Sequence, residues 1–133
     1  MVIPASLIEE IVNAAKNSSV EVCGLLFGRR MGDEVRILEA RMITNRLHSP
    51  TAFEMDPVEM IRAIDEAEER GLEVAGIFHS HLKCPPVPSE RDLEGMKNWR
   101  IPWLIITPEG EMRAWVLKDG EVEEVKLILV PNE

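Results

Sequence analysis

The sequence predicts an α/β fold, a mixed β-sheet flanked by helices, on three observations. Apolar residues recur at helical spacing near the start of the chain and again past residue 57. Apolar runs of strand length, such as Val20 to Gly28 and Val74 to Phe78, lie between and after them. The last third reads as a meander, punctuated by Pro108-Glu109-Gly110 and Lys118-Asp119-Gly120 turns.

Pro4 opens the first helix, residues 5 to 17, in which Ile8, Ile11, Val12 and Ala15 form one apolar stripe and Lys16 sits near the C-terminal end. Asn17-Ser18-Ser19 closes it. Val20 to Gly28 reads as a buried strand, and Met31-Gly32-Asp33 turns it back into a second, about Val35 to Thr44. After a loop comes a short extended piece, Ala52 to Met55. Asp56-Pro57 then supplies a cap and a first-turn proline for a helix with Met60, Ile61, Ile64 and Ala67 inward and Gly71 at its end. A strand over 73 to 79 is followed by a third helix from Ser89 to about Asn98, with Leu93 and Met96 on its core side. The closing strands are Trp103 to Thr107, Glu111 to Lys118 and Glu121 to Val130.

A chain of 133 residues is long enough for one core and too short for two, so residues 1–133 are expected to form one domain. Lys+Arg 15 against Asp+Glu 24 gives a net charge of -9 with the basic residues scattered, which excludes a nucleic-acid-tracking patch. There is no apolar run long enough to span a membrane and no secretory pattern at Met1-Val2-Ile3-Pro4, so a cytoplasmic protein is expected. The absence of glutamine and tyrosine beside 29% charged residues leans toward a hot environment.

The chemistry is concentrated in residues 79 to 92. His79 and His81 end the run Val74-Ala75-Gly76-Ile77-Phe78, and in an extended chain residues i and i+2 project from one face, so both rings can reach one ion. The prolines of Pro85-Pro86-Val87-Pro88 force a new element to start near Ser89, which delivers Asp92 as a third ligand. Three protein ligands with an open fourth position describe a catalytic zinc site, whereas structural zinc closes its shell with four Cys or His.

Each remaining candidate carries two readings. Ser89 and Asp92 fit a capping pattern at a helix N-terminus as well as a site role. Glu21 is a carboxylate in an apolar run, where an unpaired buried charge costs several kcal/mol. It either reaches water at an edge or faces a metal-bound water whose proton it can take. Cys23 shares the face of Glu21 and Cys84 lies between the ligand groups, which leaves open a Cys23–Cys84 disulfide or one buried and one exposed thiol.

Taken together, Glu21, His79-Ser80-His81, seven residues, Ser89, two residues and Asp92 resemble the complete signature of the JAMM or MPN+ metalloproteases. Glu21-Val22-Cys23-Gly24-Leu25-Leu26-Phe27-Gly28, Thr44-Asn45 and Phe53-Glu54-Met55-Asp56-Pro57 extend the resemblance over roughly residues 5 to 118. The resemblance implies a JAMM/MPN domain of the cytidine-deaminase-like type, in which His79, His81 and Asp92 bind one zinc ion carrying a catalytic water. It also implies that Glu21 is the general acid/base and that Ser89 helps stabilise the oxyanion. The deaminases' own His-x-Glu and Pro-Cys-x-x-Cys signature is absent.

The activity so implied is hydrolysis after the C-terminal Gly-Gly of a ubiquitin-like modifier, releasing it from lysines of its conjugates. Trimming of a ubiquitin-like sulfur carrier uses the same site and ranks second, and a non-catalytic MPN scaffold third. The short spacing between elements leaves the substrate's extended tail as the part to be read, with Ala52 to Met55 as the expected docking edge. The identity of the modifier and any oligomeric state stay open.

Overall fold

A computed structural model describes residues 1–131, so the last two residues of the expected 1–133 domain lie outside the described residues. The elements in chain order are β1 (Val2–Pro4), α1 (Ala5–Lys16), β2 (Cys23–Met31), β3 (Glu34–Ile43), α2 (Pro57–Glu69) and β4 (Glu73–Ser80). They continue with α3 (Glu90–Asn98), β5 (Trp103–Ile106), β6 (Met112–Lys118), β7 (Glu121–Val125) and β8 (Ile128–Val130).

All eight strands join one mixed sheet in the order β7-β6-β5-β4-β2-β3-β1-β8. β2 lies antiparallel to both β3 and β4, while β4 runs parallel to β5 through the α3 crossover. The outermost strands, β7 and β8, are consecutive in the chain and separated by just Lys126 and Leu127. At ~3.3–3.6 Å per extended residue, so short a link spans about 10 Å, so the sheet must curl until its two edges nearly meet.

Alternation along the central strands sends side chains to two cores. Ile8 and Ile11 of α1 pack with Leu26, Ile37, Phe78, Leu104 and Ile106 on one face. Ala63 and Ala67 of α2 and Met96 of α3 pack with Leu25, Phe27, Ile77 and Trp103 on the other. Gly24 is required where β2 crosses this packing, since a Cβ there would overlap the Arg41 carbonyl oxygen and the Phe78 ring.

Several expectations need correction. Val2–Pro4 is a strand, held by parallel pairing to β3 and β8, which a three-residue segment does not announce. The expected strand Glu121 to Val130 divides, because its two halves pair with opposite edges of the curled sheet. The first long strand starts at Cys23, not Val20, and runs to Met31, leaving Glu21 just ahead of it. Ile61 is exposed: the inward stripe of α2 runs through Met60, Ala63, Ile64 and Ala67, and Ile61 falls to its side. Ala52 to Met55 is not a strand, although Met55 forms a single antiparallel bridge to Asn45. Among the described residues no helix is long and apolar enough to cross a membrane.

Candidate metal centre

β4 ends where the chain leaves the sheet toward α3, and this end carries the histidines. His79 continues the Ile77 face, with its backbone paired between Cys23 of β2 and Ile105 of β5. His81 lies one residue past the strand, anchored by its N–H to the Ile106 carbonyl at 3.0 Å. Two residues of extended chain thus bring both rings to one side.

Asp92 arrives from the first turn of α3. Ser89 is the N-cap: its Oγ accepts from the Asp92 N–H at 3.1 Å, and the Asp92 Oδ2 accepts from the Ser89 N–H at 2.9 Å. The capping pattern is therefore formed, and it aims the Asp92 carboxylate rather than competing with a site. The Ser89 hydroxyl is used in the cap as an acceptor, which leaves its proton free to donate elsewhere.

The three polar atoms form a nearly equilateral triangle. His79 Nε2 and His81 Nε2 are 3.2 Å apart, and they lie 3.1 and 3.0 Å from Asp92 Oδ2. All three residues are buried. His81 Nδ1 is 2.8 Å from the Pro85 carbonyl, which can only accept, so the proton of a neutral His81 sits on Nδ1 and its Nε2 presents a lone pair. Lone pairs converging on one point at this spacing call for a cation between them. Zinc with ligands at about 2.0–2.1 Å in a tetrahedron places them about 3.3 Å apart, which the triangle fits.

The surroundings tune the three groups. Burial pushes the Asp92 carboxyl up, but the two histidine rings packed against it and the hydrogen bond from the Ser89 N–H outweigh that and hold Asp92 ionised far below the usual carboxylate range. Burial dominates at His79, whose pKa is lowered, so its ring stays neutral, as a ligand must. At His81 burial also lowers the pKa, but the Asp92 and Pro85 partners reverse it and the net shift is upward. His79 is oriented by rings rather than by hydrogen bonding. Phe53 stacks on it at 4.6 Å, Trp103 meets it edge-on at 5.8 Å, and its buried Nδ1 has no partner among the described residues.

Glu21 is 5% exposed, so it does not simply project into water from an edge strand. Burial raises its pKa to about 7, with the charges of Asp92 adding to the rise and those of His81 and Arg91 opposing it. Its backbone is fixed from outside the sheet. Its N–H donates to the Ser49 carbonyl at 2.9 Å and its carbonyl accepts from Asn45 Nδ2 at 3.0 Å. The next residue, Val22, is clamped by Ser80, through Val22 N–H to Ser80 Oγ at 2.9 Å and Ser80 N–H to the Val22 carbonyl at 3.0 Å.

Cys23 and Cys84 do not form the disulfide that the sequence left open. Cys23 is fully buried with its thiol donating to the Ile43 carbonyl at 3.4 Å, whereas Cys84 is exposed on the loop after His81. Beside the triad a groove of about 730 Å³ runs along Phe53, Met55, Met60, Ile77, Trp99 and Trp103, with Arg46, Glu54, Arg91 and Glu94 at its polar margin. The stacking of Phe53, the Pro85 carbonyl on His81 and the Asn45 and Ser80 clamps were not anticipated as site features. Asn45 and Phe53 lie in segments carrying the family resemblance, which was the available signal.

A two-histidine, one-aspartate cluster at the carboxyl end of a central strand, with its aspartate delivered by the helix that follows and a buried glutamate electrostatically coupled to it, defines a JAMM-type metalloprotease. The chain belongs to that family: residues 4–118 match the model described as prokaryotic homologs of the JAB domain. It is 51% identical over 130 residues to a desampylase of Pyrococcus furiosus, covering 97% of this chain and 90% of that protein. It is also 35% identical over 130 residues to a probable TtuB-protein conjugate cleaving protease of Thermus thermophilus, covering 96% and 82%. A protein from Desulfitobacterium hafniense with a known solution structure superposes with a TM-score of 0.86 at 30% identity, covering 98% of this chain and 93% of that one. The fold is thus the JAB/MPN fold and the chain an enzyme, a metallo-isopeptidase.

Proposed function

We propose that His79, His81 and Asp92 hold one zinc ion and that this centre hydrolyses the bond after the C-terminal Gly-Gly of a small ubiquitin-like modifier, freeing it from the lysines of its conjugates. The observation that carries the reading is the triangle of two Nε2 atoms and one Oδ2 at 3.0–3.2 Å, with a buried glutamate electrostatically coupled to it. The names of the Pyrococcus and Thermus relatives, a desampylase and a conjugate-cleaving protease, support the substrate class.

Bound zinc supplies an acidified water and a polarised scissile carbonyl. The Glu21 carboxylate accepts the attacking water's proton and returns it to the departing lysine amine as the carbon–nitrogen bond breaks. Its raised pKa suits both halves of that transfer near neutral pH. The Ser89 hydroxyl, with its proton unused by the cap, donates to the developing oxyanion, an effect of about 3 kcal/mol for one donor.

The modifier's tail would lie along residues 52 to 55. The Ala52 carbonyl and the Glu54 N–H turn to Asn45, and the Glu54 carbonyl turns to the Arg46 N–H. The alternation of an extended backbone then turns the polar groups of Phe53 the other way, toward an added strand. Apolar tail residues would meet the groove floor at Phe53, Met55 and Trp103.

The test is cleavage of a Gly-Gly-ended modifier, joined to lysine through an isopeptide bond and, separately, in a linear fusion. Wild type with zinc should release the modifier from lysine, and Glu21→Ala should keep its zinc and lose cleavage. Full activity of Glu21→Ala would remove Glu21 from the mechanism. Cleavage of the linear fusion alone would favour C-terminal trimming.

A further inference from the structure

We propose that Asn45 is the positioning residue that sets Glu21 against the metal centre and, by the same four hydrogen bonds, sets Phe53 over His79; this rests on the acid/base reading of Glu21. Glu21 precedes β2, so no strand partner fixes its backbone. The loop after β3 does so instead, and Asn45 is its hub. Asn45 Nδ2 donates to the Glu21 carbonyl at 3.0 Å and to the Ala52 carbonyl at 2.9 Å. Its Oδ1 accepts from the Leu47 N–H and the Glu54 N–H, each at 3.1 Å.

An amide side chain has two donor hydrogens and two acceptor lone pairs, and here all four are engaged with backbone in a residue 7% exposed. No carboxylate, hydroxyl or apolar side chain of that size offers the same set. The geometry couples two parts of the site. One bond reaches Glu21, while Ala52 and Glu54, gripped by two others, flank the Phe53 ring that stacks on His79 at 4.6 Å. Loss of the donor half removes the bond on the Glu21 carbonyl, leaving Glu21 held only by its N–H to Ser49 and by the Ser80 clamp on Val22, and loosens the Ala52 side of the loop, yet leaves the ligand triad's own bonds to Pro85 and Ser89 untouched.

Asn45→Asp tests this, because a carboxylate keeps the acceptors for Leu47 and Glu54 and removes both donors. The zinc-loaded variant is compared with wild type and Glu21→Gln on two substrates: the isopeptide-linked modifier and a thioester of the same modifier tail, whose thiol departs without needing a proton. Expected for Asn45→Asp is an unchanged zinc content, a raised KM through the loosened Ala52 side of the tail-binding edge, and a kcat on the isopeptide lowered about 100-fold, the scale of an ångström-sized misplacement. The loss on the thioester should be clearly smaller, and Glu21→Gln should show the same substrate pattern. Equal losses on both substrates, or an unchanged kcat, would overturn the assignment. Full activity of Glu21→Gln would instead overturn the acid/base reading beneath it. If Asn45→Asp fails to fold, Asn45→Ser goes through the same assays, and failure of both to fold would make Asn45 a requirement of the fold and refute the positioning role.

Discussion

Replacing Glu21 by glutamine should stabilise the metal-free protein at alkaline pH while abolishing its function. The Glu21 carboxyl is raised from its ordinary 4.5 to about 7, chiefly by burial. Below pH 4.5 it is protonated in both the folded and unfolded chain and contributes no penalty. Between 4.5 and 7 the folded state binds the proton more tightly, so stability falls as pH rises, and above 7 the penalty is complete. A rise of about 2.5 pH units corresponds to about 3.4 kcal/mol, which relaxation of the fold and water penetration around the charged carboxylate reduce to about 2 kcal/mol. For a chain of this length that amounts to about 8 °C in Tm. Thermal and urea denaturation of chelator-treated wild type and Glu21→Gln at pH 5 and pH 8 would measure it. The gap should be under about 1 kcal/mol at pH 5 and about 2 kcal/mol at pH 8, in favour of the glutamine variant. A gap independent of pH, or a less stable variant at pH 8, would refute the reasoning.

Three further outcomes are expected. Ser89→Gly should cost only a few tenths of a kcal/mol in stability, since glycine is an acceptable N-cap, yet lower kcat by about 100-fold through loss of the hydroxyl donor; denaturation and steady-state kinetics on one sample separate the two roles. Alkylation of the native protein at pH 8 should add one group, at Cys84, because Cys23 is buried and its thiol is pushed up to about 12 by burial and by the charges of Glu21 and Glu59; two adducts on the folded protein by intact mass would contradict this. Gly24→Ala should cost at least about 2 kcal/mol by urea denaturation, since the new methyl meets the Arg41 carbonyl and the Phe78 ring.

The parts of the site legible in the sequence are those fixed by local geometry. His79 and His81 share a face because they end a strand two residues apart, and Asp92 points back because it sits three residues after an N-cap. The same local logic made capping look like a rival to a site role for Ser89 and Asp92. In the structure one carboxylate oxygen serves both, meeting the Ser89 N–H and the two histidines. Less legible was whatever depends on distant partners. β1 is a strand because β3 and β8 lie beside it, and the chain from Glu121 to Val130 breaks because the sheet curls, neither of which three to ten residues can encode alone. The sequence left open whether Glu21 reaches water or turns inward, because its support by Ser49 and Asn45, and that of Val22 by Ser80, joins side chains and backbone up to 58 residues apart. Ile61 misled for a different reason: an isoleucine beside a stripe built partly on small Ala63 outweighs it in any hydrophobic pattern.

X-ray absorption at the zinc edge of the loaded protein tests the central claim most directly. Two imidazole nitrogens and two oxygens, one of a carboxylate and one of water, at about 2.0–2.2 Å are expected. Sulfur scattering at about 2.3 Å, a third imidazole, or a protein that takes up no zinc at all would contradict a centre built by His79, His81 and Asp92.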